Sequence, residues 1–197
     1  MDLMKESARN IALQVYYDIE ISKLLFFQEI SSLEINKAVR QLDNYRNPTY
    51  SLIHSIYIFN RLSGVYYLAF PVDIEQVHDI GNFFDDDITN IINNISEYER
   101  FSIIPRKIPM PINKRREDVL ASVYTYIFHE NSDDESVESA VIINISEKWM
   151  REIMDSLNID PTNDTFIVDN EGVTVTSTSK DKMLTDISAE EYIKKVL

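Results

Sequence analysis

Apolar residues recur at spacings of three and four through the first 46 positions of the chain. Ala8, Ile11, Val15 and Ile19 fall on one helical face. A broader apolar cluster follows at Leu24–Phe27, and the pattern resumes with Ile30, Leu33, Val39 and Leu42. No Gly or Pro interrupts it before Pro48. The spacing predicts one long helix, or two that separate near Ser31-Ser32, closed by RNPTYS at 46–51.

The period then changes to two. In SIYIFNRLSGVYYLAF (55–70), Ile56, Ile58, Val65, Tyr67 and Ala69 alternate with Tyr57, Phe59, Tyr66, Leu68 and Phe70. Both faces are apolar or aromatic, so a hairpin with both faces covered is expected. Gly64, one of three glycines in the chain, suits a turn that needs positive φ. Residues 73–100 are acidic and mostly helical by pattern, with Ile88, Ile91, Ile92 and Ile95 forming a stripe after FFDDD. FSIIPRKIPMP (101–111) reads as extended, INKRRED as a polar link, VLASVYTYIFHE (119–130) as a strand and NSDDES as an acidic turn. SAVIINIS (139–146) is a second buried strand, and its Ser146 can cap the helix EKWMREIMDSLN. A second hairpin, TFIVDNEGVTVTSTS (165–179), turns at Gly172. Ser188 and Glu191 have the spacing of a capping box for a last helix, inside which the sequence stops, as a truncated segment would.

The order is long helix, hairpin, helical insertion and three more strands. It predicts an α+β chain in which the long N-terminal helix precedes a PAS-like, five-stranded antiparallel sheet with a helical cover. The second hairpin opens another module of the same kind.

With 33 acidic and 19 basic residues in 197, the net charge is −14. No basic face is available for nucleic acid or for an anionic lipid surface. The chain has no cysteine, which excludes thiol catalysis, thiolate metal sites and disulfides. No run approaches the roughly 18 apolar residues of a membrane span. His54, His78 and His129 lack metal-helix spacing, and there is neither a G-x-S-x-G elbow nor a glycine-rich phosphate loop. No enzyme activity and no cofactor are expected. The acidic runs at 85–87 and in NSDDES are either a solvated cap or oxygen ligands for a divalent ion.

Arg106 stands out in the apolar segment SIIPRKIP. It is either a bidentate clamp for a ligand carboxylate or half of an internal salt bridge, with an Asp of the 85–87 run as partner. Tyr57, Tyr66, Tyr124 and Tyr126 lie on predicted strands, and some should face the helical insertion. They either give hydroxyls to an apolar-walled pocket or fill an aromatic core.

Taken together, SIYIFN after a long helix, FFDDDITNIINNISEYERFSIIPRKI, VYTYIFHE, SAVIINISEKWMREIM and TFIVDNEGVTVTSTS resemble one family. They are similar to the extracytoplasmic double-Cache sensor regions of Gram-positive, membrane-bound AraC-type transcription regulators and related sensor histidine kinases. The resemblance implies a helical stalk over 1–48, a membrane-distal module over 49–160 and the start of a membrane-proximal module over 161–197. It also implies flanking transmembrane helices outside these residues, a position on the extracellular face of the membrane, and a cytoplasmic output domain. An unidentified small molecule, a sugar or a carboxylate, would bind at Arg106, Tyr57, Tyr66, Tyr124 and Tyr126. The amino-acid-binding pattern of the family is not found, since the only Trp is Trp149 in the helix after the sheet. Two copies would pair along Ala8, Ile11, Val15 and Ile19. The rival reading is a non-catalytic module that binds a protein or cell-wall partner, without a pocket and with a fully packed distal module.

Overall fold

A computed structural model describes residues 2–47, 52–99, 101–111, 120–130, 137–156, 165–168, 172–177 and 185–194. The links INKRRED and NSDDES fall outside these. The N-terminal segment is three helices rather than one or two, and one of its breaks is the one expected near Ser31-Ser32: α1 (Asp2–Tyr16), α2 (Ile19–Phe26) and α3 (Ser32–Arg46). Two local signals divide it. The Asp18 carboxylate accepts from the Glu20 and Ile21 N–H groups at 2.9 and 3.2 Å and so starts α2. Ser31 and Glu34 form a reciprocal capping box that starts α3.

The sheet follows. β1 (Ile53–Asn60) and β2 (Val65–Ala69) form the predicted hairpin, with Tyr57 opposite Leu68 and Phe59 opposite Tyr66. At its turn Gly64 has φ +73°, and the Asn60 side chain accepts from Ser63 N–H at 3.1 Å. The Asn60 amide also donates to the Leu24 and Phe27 carbonyls at 2.8 and 3.0 Å. It thereby satisfies the open C-terminal carbonyls of α2 and ties that helix to the hairpin.

β4 (Ile103–Pro109), β5 (Leu120–Phe128) and β6 (Ser139–Ser146) complete the five expected strands. A sixth, β3 (Val77–Asp79), lies inside the segment read as mostly helical. It pairs with β2 at the edge, so the antiparallel order is β3-β2-β1-β6-β5-β4. The rest of that segment includes a 3-10 turn at Ile80–Asn82 and α4 (Asp86–Asn93). Ile88, Ile91 and Ile92 of the predicted stripe are buried.

Each sheet face has its own cover. Tyr57, Phe59, Tyr66, Leu68, Ile108, Val123, Ile127, Ala140 and Ile142 pack with Phe83 and α4. On the other face, α1 contacts β5, α2 contacts β1, and α3 contacts β1 and β2. Ala8 and Val15 are fully buried in this packing, whereas Ile19 is 80% exposed. The stripe proposed to pair two copies is therefore largely occupied by the chain's own fold.

Contacts divide the chain into two units, Met1–Ile145 and Ser146–Leu197. In the second, α5 (Glu147–Ser156) starts where predicted, with Ser146 Oγ accepting from Lys148 N–H at 3.2 Å. The Glu147 carboxylate accepts from Thr176 Oγ1 at 2.7 Å and pairs with Arg151. β7 (Phe166–Val168) and β8 (Thr174–Ser177) form the second hairpin, with Gly172 at φ +85°. The last predicted helix is replaced by turns over 188–194. Ser188 N–H is taken by Asp186 at 2.9 Å, and Val173 bridges Asp186, so the segment lies against β8 instead. No helix among the described residues is long and apolar enough to cross a membrane.

Two glycines separate conformation from space. A Cβ would meet nothing within 4 Å at either Gly64 or Gly81, but only Gly64 has positive φ. Gly64→Ala is expected to cost about 1–2 kcal/mol in urea unfolding, and Gly81→Ala close to nothing. Equal losses at both positions would contradict the turn assignment.

Candidate functional site

The helical cover and the sheet meet mostly through hydrocarbon, and the main polar contact between them is an ion pair. Arg106 on β4 is 5% exposed, and Asp85, the N-cap of α4, is fully buried. The guanidinium donates from Nη1 to Asp85 Oδ1 at 2.6 Å and from Nη2 to Asp85 Oδ2 at 2.8 Å. This is the bidentate fork that suits arginine and a carboxylate. Arg106 Nε donates to Thr125 Oγ1 on β5 at 2.6 Å, and Nη2 reaches Asn144 Oδ1 on β6 at 3.3 Å. Thr125 in turn donates to Asn144 Oδ1 at 2.7 Å, and Asn144 Nδ2 donates to Ser55 Oγ on β1 at 3.0 Å. His54 Nδ1 lies 3.2 Å from Ser55 Oγ. The network thus runs across four strands of the sheet and ends on the cover, where Asp85 Oδ1 accepts from Ile88 N–H at 3.3 Å.

Of the two readings of Arg106, the geometry realises the internal pair: both donors that a ligand carboxylate would take are occupied by Asp85. The acidic run supplies this partner. Among the described residues no three acidic or histidine groups converge as a metal shell requires; NSDDES lies outside them.

The four tyrosines divide between the faces. Tyr57 and Tyr66 face the cover with Arg106, in the cluster that contains Phe83 and α4. Tyr66 stacks on Phe83 at 4.1 Å between centroids, and its hydroxyl lies 3.2 Å from Thr89 Oγ1. Burial pushes the Tyr66 phenol up to about 12. Burial also raises Tyr57, and the nearby Asp85 carboxylate adds to the effect. Tyr124 and Tyr126 alternate with the cover-facing Val123, Thr125 and Ile127 and so face the opposite way, where Phe101 stacks with Tyr126 at 6.4 Å. They cannot line one site with Tyr57, Tyr66 and Arg106.

Ser55, Thr125 and Asn144 carry no signal of their own in the sequence. What marks them is context: each is a small polar residue inside an apolar strand run, in SIYIF, VYTYIF and VIINIS. Buried polar groups need partners, so three such interruptions in neighbouring strands point toward one another.

Two surface clefts are formed by described residues. One, of about 260 Å³, lies between the end of α3 and the chain leaving β2, with Arg46, Phe70 and Val72 in its wall. The other, of about 180 Å³, lies beside the first hairpin turn, with Phe26, Leu62, Glu130 and Glu138. Neither contains a predicted site residue.

No protein-family model matches the sequence, and no curated protein matches it. Solved structures do match in fold. The extracellular domain of vpHK1S-Z8, assigned as a histidine kinase, aligns with a TM-score of 0.57 and 13% identity, covering 97% of this chain and 68% of that one. The ligand-binding domain of the Campylobacter jejuni chemoreceptor Tlp3 in complex with L-valine aligns with a TM-score of 0.51 and 16% identity, over 98% of this chain and 74% of that one. The periplasmic sensory domain of Tlp1 from the same organism gives 0.51 and 11%, over 98% and 75%. The chain has the PAS-like α+β fold of these extracellular sensory domains.

Two outcomes test the cluster. Arg106→Met alone leaves Asp85 buried without a counter-charge, and is expected to cost about 3–5 kcal/mol in urea unfolding. Arg106→Met with Asp85→Leu should cost clearly less than the sum of the single changes. Additive losses would show that the two side chains do not interact. His54 gives a pH test. Burial, helped by Arg46 and Arg106, lowers it from 6.5 to about 4. Unfolding restores the ordinary value, so between those two pH values the unfolded chain binds more protons than the folded one. Stability is then full above the upper limit and falls as pH drops through the window. His54→Gln should flatten that part of the profile, and identical profiles would count against the burial of His54.

Proposed function

We propose that this chain is the extracytoplasmic sensor region of a membrane-anchored signalling protein, without catalytic activity. It binds a small molecule and relays that event to a cytoplasmic output domain. The observation that carries this reading is the likeness in fold, over 97–98% of the chain, to extracellular and periplasmic sensory domains. The resemblance of its phrases to double-Cache regions of Gram-positive AraC-type regulators and sensor kinases supports the same reading. Residues 49–160 are the distal module on this account, and 161–197 begin a second; the β7–β8 hairpin and its Gly172 turn support a second module, although contacts group α5 with that hairpin. The candidate ligand residues are Arg106, Tyr57 and Tyr66, which share the cover face. A ligand acts by preferring one arrangement of cover and sheet over another.

One observation favours the rival reading, a protein- or cell-wall-binding module. The interface between sheet and cover is filled by side chains, as that reading requires. Ligand binding distinguishes the two. A thermal-shift screen of the purified chain against sugars, amino acids and small carboxylates should find at least one stabilising compound. At a hundredfold its Kd it adds about 2.7 kcal/mol. For a chain of this size that is a rise on the order of 5 °C. No stabilisation by any compound, together with retention on isolated cell wall, would favour the interaction module.

A further inference from the structure

The cleft beside the first hairpin turn joins an apolar ledge to two acidic side chains. Leu25 is buried at its base, while Phe26 and Leu62 in its wall are 44% and 60% exposed. Phe26 is braced from behind: the Tyr16 ring meets it edge-on at 5.5 Å and packs in turn on Phe128 at 5.0 Å. Glu130 and Glu138 line the same cleft, and both are exposed. The fold places each of them. The buried Tyr16 hydroxyl lies beside the Glu130 carboxylate, and the Glu138 carbonyl accepts from Arg61 N–H at 2.8 Å. Neither carboxylate belongs to an ion pair among the described residues. Arg61, the cation of the turn itself, is committed elsewhere. Its Nε donates to the Val137 carbonyl at 2.8 Å and its Nη2 to Asn93 Oδ1 at 3.1 Å. The C-terminal end of α2, where helix carbonyls carry partial negative charge, borders the cleft as well.

Size and charge select the occupant. At about 180 Å³ the cleft is smaller than the roughly 300 Å³ at which sites for whole small molecules begin. It has room for one long side chain, and the exposed parts of Phe26 and Leu62 extend the contact beyond it. A net charge of −14 repels a second copy of this chain, an anionic lipid surface and nucleic acid alike. A Lys or Arg side chain suits every wall. Its alkyl stem lies on Leu25 and Phe26, its cation is attracted by the Phe26 ring, and the two carboxylates supply the counter-charge. We infer that this cleft is the docking site of a protein partner that presents a basic side chain beside an apolar one. The acidic surface speeds encounter, and the apolar ledge gives specificity. The inference does not rest on the sensor reading, because none of the cleft residues belongs to the cluster between the sheet and α4.

A displayed library of random peptides, selected on the unmodified chain, tests this without the natural partner in hand. Peptides are then screened against a variant with Leu62→Ser, Glu130→Gln and Glu138→Gln. All three positions are exposed, so its Tm should match that of the unmodified chain; if it does not, Leu62→Ser alone takes its place. Selected peptides should carry Lys or Arg next to Leu, Phe, Tyr or Trp. They should bind the variant roughly tenfold more weakly, the size of one hydrogen bond to a charged group. Their binding should shift the Leu62, Glu138 and Ser139 amides in NMR spectra of the unmodified chain and weaken as salt is added. A selection that enriches no peptide, or peptides without basic residues, overturns the inference. So do peptides that bind chain and variant equally or shift amides elsewhere. Hexalysine binding as tightly as the selected peptides overturns it too, since net charge alone would then explain the attraction. n-Butylammonium producing the same shifts as tightly as the peptides would make the cleft a small-cation site and no docking surface. Each of these outcomes leaves the sensor reading to its own ligand screen.

Discussion

A guanidinium and a carboxylate removed from water must find each other, because either one alone in the interior is strongly unfavourable. That constraint organises the first unit of this protein. Arg106 comes from an edge strand, and Asp85 starts the helix that covers the sheet. Their pairing fixes where the cover lies, and Thr125, Asn144 and Ser55 continue the network inward across the sheet. The surrounding hydrocarbon supplies most of the burial but little direction. Phe59, Leu68, Ile142 and Ile92 pack in many registers, whereas a bidentate ion pair accepts one.

The same contrast explains what the sequence revealed. The hairpin at 53–69, the two central strands and the isoleucine stripe of α4 follow from periodicity, and Gly64 and Gly172 stand at the turns where positive φ is needed. The acidic run that partners Arg106 was one of the two solutions the sequence left open, the other being a ligand carboxylate. The faces of the four tyrosines were not legible. Both sides of this sheet are covered, so its strands are apolar on both sides, and alternation alone cannot say which face is which. Tyr124 and Tyr126 lie on the face of β5 that α1 covers, away from Tyr57 and Tyr66.

Helix boundaries followed a different logic. Apolar spacing runs almost unbroken through the first 46 residues, yet Asp18 and Ser31 each redirect the chain. Caps act on one or two N–H groups and leave the longer pattern intact, so periodicity passes over them. β3 is only three residues long, too short for alternation to register. At the other end, a good capping box at Ser188 and Glu191 lost to the Asp186 side chain and to pairing with Val173. Tertiary pairing overrode local propensity there.

The sheet carries a different cover on each face. The account depends on the Arg106–Asp85 pair being what secures the α4 side. Native-state hydrogen exchange of Arg106→Met, compared with the unmodified chain, tests this most directly. The account predicts faster exchange in α4 and β3, with α1, α2 and α3 keeping their protection. A uniform loss of protection through both covers, or none in α4, would contradict it.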